Sequence, residues 1–175
     1  MEFIFEKATK DDITALTQLT EEVWNTIEHK EWFALNNVSQ YIANFIDSEK
    51  GCVWKVTDTA TRRMAGMYIV TYPGTDPENL GYDIDLSESQ LSQVAHMDTV
   101  VIHPLYRGHS LQRKLTLFLE QELLPGGFRY FMCTVHPDNK YSRNNMEKCG
   151  YQVMKTAFKY GGLPRLIFLK TATQR

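Results

Sequence analysis

The sequence predicts an α/β chain folded as a single domain, residues 1–175, with one sheet and helices on its faces. Three observations carry this. Apolar positions repeat with period 2 in some segments and period 3.6 in others, in the order β-α-α-β-β-β-α-β-α-β-β. A length of 175 residues suffices for one core and is short for two. Finally, His96–Leu124 reads as an apolar strand, a tight turn and an amphipathic helix, the unit from which such sheets are built.

The elements follow in order. Phe3, Ile4 and Phe5 open a strand. Asp11 and Asp12 offer N-caps to a helix with Ile13, Leu16, Val23, Trp24 and Ile27 on its apolar face. Asn37 is the expected cap of a second helix, which buries Tyr41, Ile42, Phe45 and Ile46 and stops at Gly51. Strands are expected at Cys52–Thr57 and Met64–Thr71. Tyr72–Asp83 holds two prolines and two glycines and reads as a functional loop. A short polar helix precedes strand Ala95–Ile102, which Pro104 ends. Leu111, Leu115, Phe118, Leu119 and Leu123 trace one helical face. A strand at Phe128–Val135, a short helix before Gly150 and two strands near Tyr151–Lys159 and Leu166–Lys170 complete the chain.

Composition narrows the function. Hydrophobic residues make up 43% and charged residues 23%, the balance of a soluble globular protein. The net charge of −2 argues against a general nucleic-acid binder. Cys52, Cys133 and Cys149 form no metal-ligand spacing, so reduced core thiols and no metal are expected. Met1–Lys10 lacks an apolar signal core, and no apolar run reaches the ~20 residues of a membrane span. The expectation is a cytoplasmic protein with no membrane partner.

The turn Arg107–Gln112 is the most informative stretch. A helix start exposes unpaired N–H groups and the positive end of the dipole, a ready site for phosphate. Gly108 permits close approach, and Arg107 and Arg113 add charge. The same residues also suit a plain strand-to-helix turn.

Val101-Ile102-His103-Pro104-Leu105-Tyr106-Arg107-Gly108 resembles the acetyl-CoA motif of the GNAT N-acetyltransferases, V-x-P-x-x-R-G-x-G-x-G/A. Asn139, Ser142, Gly150 and Tyr151 resemble the family's second motif, N-x-x-A/S…G-F/Y, and the element order matches over nearly the whole chain. The resemblance implies a mixed, mostly antiparallel central sheet with helices on both faces. It implies acetyl-CoA as co-substrate, held by Val100, Val101, Ile102, Arg107, Gly108, His109, Ser110, Leu111, Gln112, Asn139 and Ser142. Two of the family's glycines fall on Ser110 and Gln112; the serine can cap the helix or meet a phosphate. Met146 stands where many members carry the tyrosine that protonates the leaving thiolate, which leaves water, Tyr141, Tyr160 or Tyr106.

Acetyl transfer to an amine needs a proton acceptor and a donor to the developing oxyanion. The resemblance gives the oxyanion role to a main-chain N–H near Val100–Ile102. His96 and Asp98 share one face of the strand and match in spacing two histidines of the arylalkylamine N-acetyltransferases. They are the candidate catalytic pair; a structural Asp98 and a strand-edge His96 remain the alternative. The acceptor side is expected at Trp24, Glu28, Trp32, Phe33, Tyr72 and Tyr160, where aromatic rings and acids suit a cationic amine. Trp24 and Phe33 also suit a core. The expected partner is a small-molecule amine or a peptide, acted on by a monomer or homodimer. The competing function is an acyl-CoA sensor or interaction domain with little turnover.

Overall fold

A computed structural model describes residues 2–33 and 36–172; the outermost residues of the expected 1–175 domain lie outside it. Seven strands form one mixed sheet in the order β1-β2-β3-β4-β5-β7-β6. They are β1 Phe3–Lys7, β2 Gly51–Asp58, β3 Met64–Thr71, β4 Val94–Ile102, β5 Tyr130–Val135, β6 Gln152–Lys159 and β7 Leu163–Thr171. The helices are α1 Ile13–Thr26, α2 Val38–Phe45, α3 Glu88–Leu91, α4 Leu111–Leu123 and α5 Lys140–Lys148. The pairs β1–β2, β2–β3, β5–β7 and β6–β7 are antiparallel, and β4–β5 is parallel.

The chain packs as two compact units, residues 1–71 with 99–115, and residues 72–98 with 116–175. In the first, Leu16, Leu19 and Val23 of α1 recur at helical spacing and meet Ile42 and Ile46 at α2. Val53, Met67, Ile69 and Val101 supply the strand side of that core. Each such side chain contributes about 1.5–3 kcal/mol of transfer free energy when fully buried. Thr20 sits among them because its hydroxyl donates to the Leu16 carbonyl at 2.8 Å. In the second unit Leu80, Val94, Met132 and Ile167 form the apolar centre, with Tyr130, Ala157 and Leu169 packed against it.

Several local expectations change. Neither Asp11 nor Asp12 begins α1 as a simple cap. A 3-10 turn, Lys10–Asp12, precedes the helix, and the Asp12 carboxylate accepts from the Thr9 N–H at 2.8 Å and from Lys55 at 2.8 Å. These hydrogen bonds hold the Asp12 pKa below its ordinary value although burial opposes them. Asn37 has φ 49° and makes no side-chain cap bond, because a cap requires extended dihedrals. Gly51 does not stop α2, which ends at Phe45; it starts β2 where a Cβ would sit 2.4 Å from the Val70 carbonyl. The Tyr72–Asp83 loop contains part of a 3-10 turn, Leu80–Ile84, whose Asn79 side chain accepts from the Gly81 N–H.

Candidate active site

In the first unit, β4 delivers Val100, Val101 and Ile102 to the turn that starts α4, with Val101 buried. The His103 N–H donates to the Ala65 carbonyl at 2.9 Å, and Pro104–Tyr106 forms a 3-10 turn closed onto His103. Arg107, Gly108 and His109 are exposed, Ser110 and Gln112 half-buried, and Leu111 buried. Gly108 has φ 84°, and a Cβ there would meet no atom within 4 Å, so the surface above it is open.

Ser110 does not cap α4 in the usual way. Its φ is 59°, in the left-handed region, whereas a capping residue is extended. Its Oγ instead accepts from Arg113 Nη2 at 2.6 Å, and its carbonyl accepts the Lys114 N–H. The Arg107 guanidinium reaches Thr26 Oγ1 at 3.3 Å, at the end of α1. His103 is a loop residue whose Nδ1 accepts from the Leu105 N–H.

The expected acceptor residues of this unit form an aromatic group. Trp24 and Phe33 lie 5.8 Å apart, tilted at 50°. The Lys30 ammonium sits 4.7 Å above the Trp24 ring and donates to the Trp24 carbonyl. Trp32 stacks on His29 at 4.5 Å, and Glu28 is exposed. Phe33 is partly buried against the core, so it serves packing as well. A cavity of about 280 Å³ near Lys7, Phe45 and Cys52 contains none of the expected site residues.

In the second unit, the parallel pairing of β4 with β5 runs from Val94↔Tyr130 to His96↔Met132. Asp98 lies two residues beyond the last pair and is exposed. His96 Nε2 accepts the Leu80 N–H at 3.0 Å. The neutral ring therefore carries its proton on Nδ1. Burial pushes the His96 pKa down to about 4, helped by Lys159 and opposed by Asp76 and Asp83. Lys159 is itself paired with Asp83 at 2.6 Å.

Tyr160 has φ 53° at the β6–β7 turn, and Gly161 and Gly162 continue the left-handed backbone. Its hydroxyl lies 2.9 Å from Thr134 Oγ1, and the Arg165 guanidinium sits 5.4 Å from its ring centre. Burial raises the phenol pKa and nearby Asp98 adds to the rise, against the Thr134 hydrogen bond and Arg165. Asn139 caps α5, accepting from the Ser142 N–H at 3.1 Å. Met146 is buried and Tyr141 exposed. Tyr72 stacks on Phe128 at 4.4 Å. Thr134, Leu80 and the Asp83–Lys159 pair escaped the sequence reading because their partners lie 16 to 76 residues away along the chain.

Residues 13–151 match the Acetyltransferase (GNAT) family. The chain belongs to that family. It is thus an acetyltransferase, and solved structures share its fold over nearly full length. NAA60 of Arabidopsis thaliana, in complex with acetyl-CoA, has a TM-score of 0.76 at 11% identity, covering 97% of this chain and 98% of that one. A GCN5-related N-acetyltransferase from Kribbella flavida gives 0.72 at 14%, covering 97% and 98%. The NatC complex bound to Gag peptide and CoA gives 0.71 at 14%, covering 99% and 100%. No curated protein sequence matches the chain significantly. Among the described residues, no group of three His, Cys, Asp or Glu side chains is placed to hold a metal ion. No helix among them is long and apolar enough to cross a membrane.

Proposed function

We propose that this acetyltransferase moves the acetyl group of acetyl-CoA directly to an amine on a peptide or small molecule, and that residues 1–175 act as one catalytic domain. The observation that carries this is the end of β4–β5 pairing at His96↔Met132, with Asp98 just beyond it and Tyr160 close enough to feel its charge. A strand that leaves its neighbour frees main-chain N–H and C=O groups, which here would pair with the pantetheine arm and polarise the thioester carbonyl. The open surface at Gly108 and the N–H groups that begin α4 suit the pyrophosphate. Asn139 and Ser142 would support the same ligand; the Asn139 carbonyl oxygen is committed to its cap, leaving its amide NH₂ as donor.

The amine nitrogen attacks the carbonyl carbon, the C–N bond forms, the C–S bond breaks, and the ammonium proton passes to a base. Asp98, acting through water, is our choice for that base. His96 is bound through Nε2 and protonated on Nδ1, so it holds the Leu80 segment instead. Tyr160, a phenol that is protonated at neutral pH, is our donor for the leaving thiolate in place of the buried Met146. Trp24, Glu28, Trp32, Phe33 and Tyr72 would contact the acceptor. NatC was solved with a peptide, and the same fold here supports including peptide acceptors.

The sensor reading keeps one specific support: the left-handed Ser110 where the family has glycine. One experiment separates the two. Acetyl-CoA should raise the melting temperature in either case, by mass action on the folded state. CoA release with a panel of amines and peptide N-termini should then be seen only for an enzyme. A thermal shift with no CoA release from any acceptor would favour the sensor; no shift would defeat both.

A further inference from the structure

Asp58, at the end of β2, is a carboxylate only 2% exposed, and the proposed chemistry makes no use of it. Both its oxygens are engaged. Oδ1 accepts the Ala60 N–H at 3.1 Å, and Oδ2 accepts the Thr61 hydroxyl at 2.6 Å. The Thr61 N–H adds a further bond, and one donor comes from 48 residues along the chain: the Tyr106 hydroxyl, 3.2 Å from Oδ2 and 3.1 Å from Thr61 Oγ1. The Thr61 hydrogen bond, ahead of the others, holds the Asp58 pKa below its ordinary value against the cost of burial.

Tyr106 is itself 5% exposed. Its ring meets Phe3 edge-on at 5.8 Å and His103 at 5.8 Å. It is the last buried residue before the exposed Arg107-Gly108-His109 run. Upstream, the loop is pinned by the His103 N–H to Ala65; downstream, Arg107 reaches Thr26 across an exposed surface. The Tyr106 hydroxyl is therefore a buried polar tether on the residue two before Gly108. A charged acceptor makes that tether stronger than a neutral one.

We infer that Asp58 is a positioning residue for acetyl-CoA: through the Tyr106 hydroxyl it holds the Arg107–Gln112 turn in the conformation that receives the pyrophosphate. The inference rests on the proposed use of acetyl-CoA. A preformed turn meets the ligand without an added ordering cost. A loosened turn must be ordered at binding, which weakens affinity and leaves the chemical step alone. Asp58 touches neither ligand nor reacting atoms in this scheme.

The test compares Tyr106→Phe, which keeps the ring and its packing, with Asp58→Asn and the double variant. Calorimetric titration gives Kd for acetyl-CoA, and CoA release gives KM and kcat. A hydrogen bond to a charged group is worth about one to two powers of ten in an equilibrium constant. Tyr106→Phe should therefore raise Kd and the acetyl-CoA KM about tenfold, with kcat within twofold. The double variant should bind no more weakly than the weaker single one, since both remove the same tether. A merely structural pair would lower the melting temperature without that KM-against-kcat split. An unchanged Kd in Tyr106→Phe, or fully additive losses in the double variant, would overturn the inference. If Asp58→Asn fails to fold, the Tyr106→Phe result decides alone. Wild-type protein that shows no heat with acetyl-CoA would instead defeat the proposed function, and with it the inference.

Discussion

Replacing His96 with glutamine should make folding less sensitive to acid and leave catalysis largely intact. The ring accepts the Leu80 N–H through Nε2, and a glutamine Oε1 can accept at a similar reach without titrating. The His96 pKa falls from 6.5 to about 4 on folding. A depressed histidine pKa means that the unfolded chain binds a proton which the folded one refuses. The unfolded state then binds more protons between about pH 6.5 and 4, so stability rises with pH through that window and falls on acidification. The fall from 6.5 to about 4, at 1.36 kcal/mol per pH unit, gives about 3 kcal/mol at most. Urea unfolding at steps from pH 7.5 to 4 measures it, in wild type and His96→Gln. The wild-type stability should fall by about 3 kcal/mol more than the variant's over that range. Parallel curves would refute the reasoning, because the buried neutral ring would then contribute nothing. Turnover supplies a second readout: kcat within about threefold of wild type fits a tether, whereas a loss of 10² or more would restore His96 as the base.

Three further outcomes are expected. Ser110→Gly should stabilise the fold by about 1 kcal/mol in thermal or urea unfolding, because glycine adopts φ 59° without the left-handed penalty; its acetyl-CoA affinity should stay within about tenfold, and a hundredfold gain would mean that Ser110 obstructs the ligand. Asp98→Asn should cut kcat by roughly 10²–10⁴ with acetyl-CoA Kd unchanged, and normal turnover would pass deprotonation to solvent or another group. Tyr160→Phe should lower kcat about tenfold and leave acetyl-CoA binding alone, with Met146→Tyr restoring part of the rate; an unaffected kcat would leave thiolate protonation to water.

Much of the fold could be read from period alone. β3 and α4 fall where the sequence places them, β3 as a continuous apolar run buried on both faces and α4 from the Leu111–Leu123 stripe that buries one face. The ends of elements were harder. Gly51 has the sequence character of a helix stop, yet its small size answers the Val70 backbone across a strand pair, a contact no local pattern encodes. The Pro104–Gly108 turn was legible because motif and geometry coincide in a few consecutive residues. His96 was legible as a noteworthy residue and not as a tether, because its partner is the main-chain N–H of Leu80, and any residue but proline supplies one. Ser110 was visible as a departure from the family pattern; only the backbone shows that it keeps the dihedral a glycine would take.

His96 and Asp58 illustrate one physical device used twice, once in each unit. Each is an ionisable side chain that fastens a loop to a strand through a hydrogen bond distant in sequence: Leu80 in one case, Tyr106 in the other. Each is held in the protonation state that makes an acceptor, neutral for the histidine and charged for the aspartate, and in both the pKa is shifted downward. The causes differ. Burial drives the histidine, since a cation is the costly form, whereas hydrogen-bond donors drive the aspartate against its own burial. Acid therefore acts on both tethers in the same direction, and at neutral pH both loops keep their anchors. The proposed chemistry needs a base as well as intact anchors, because an acceptor amine with a pKa of about 8 to 10 is mostly ammonium in neutral solution and must lose a proton to attack.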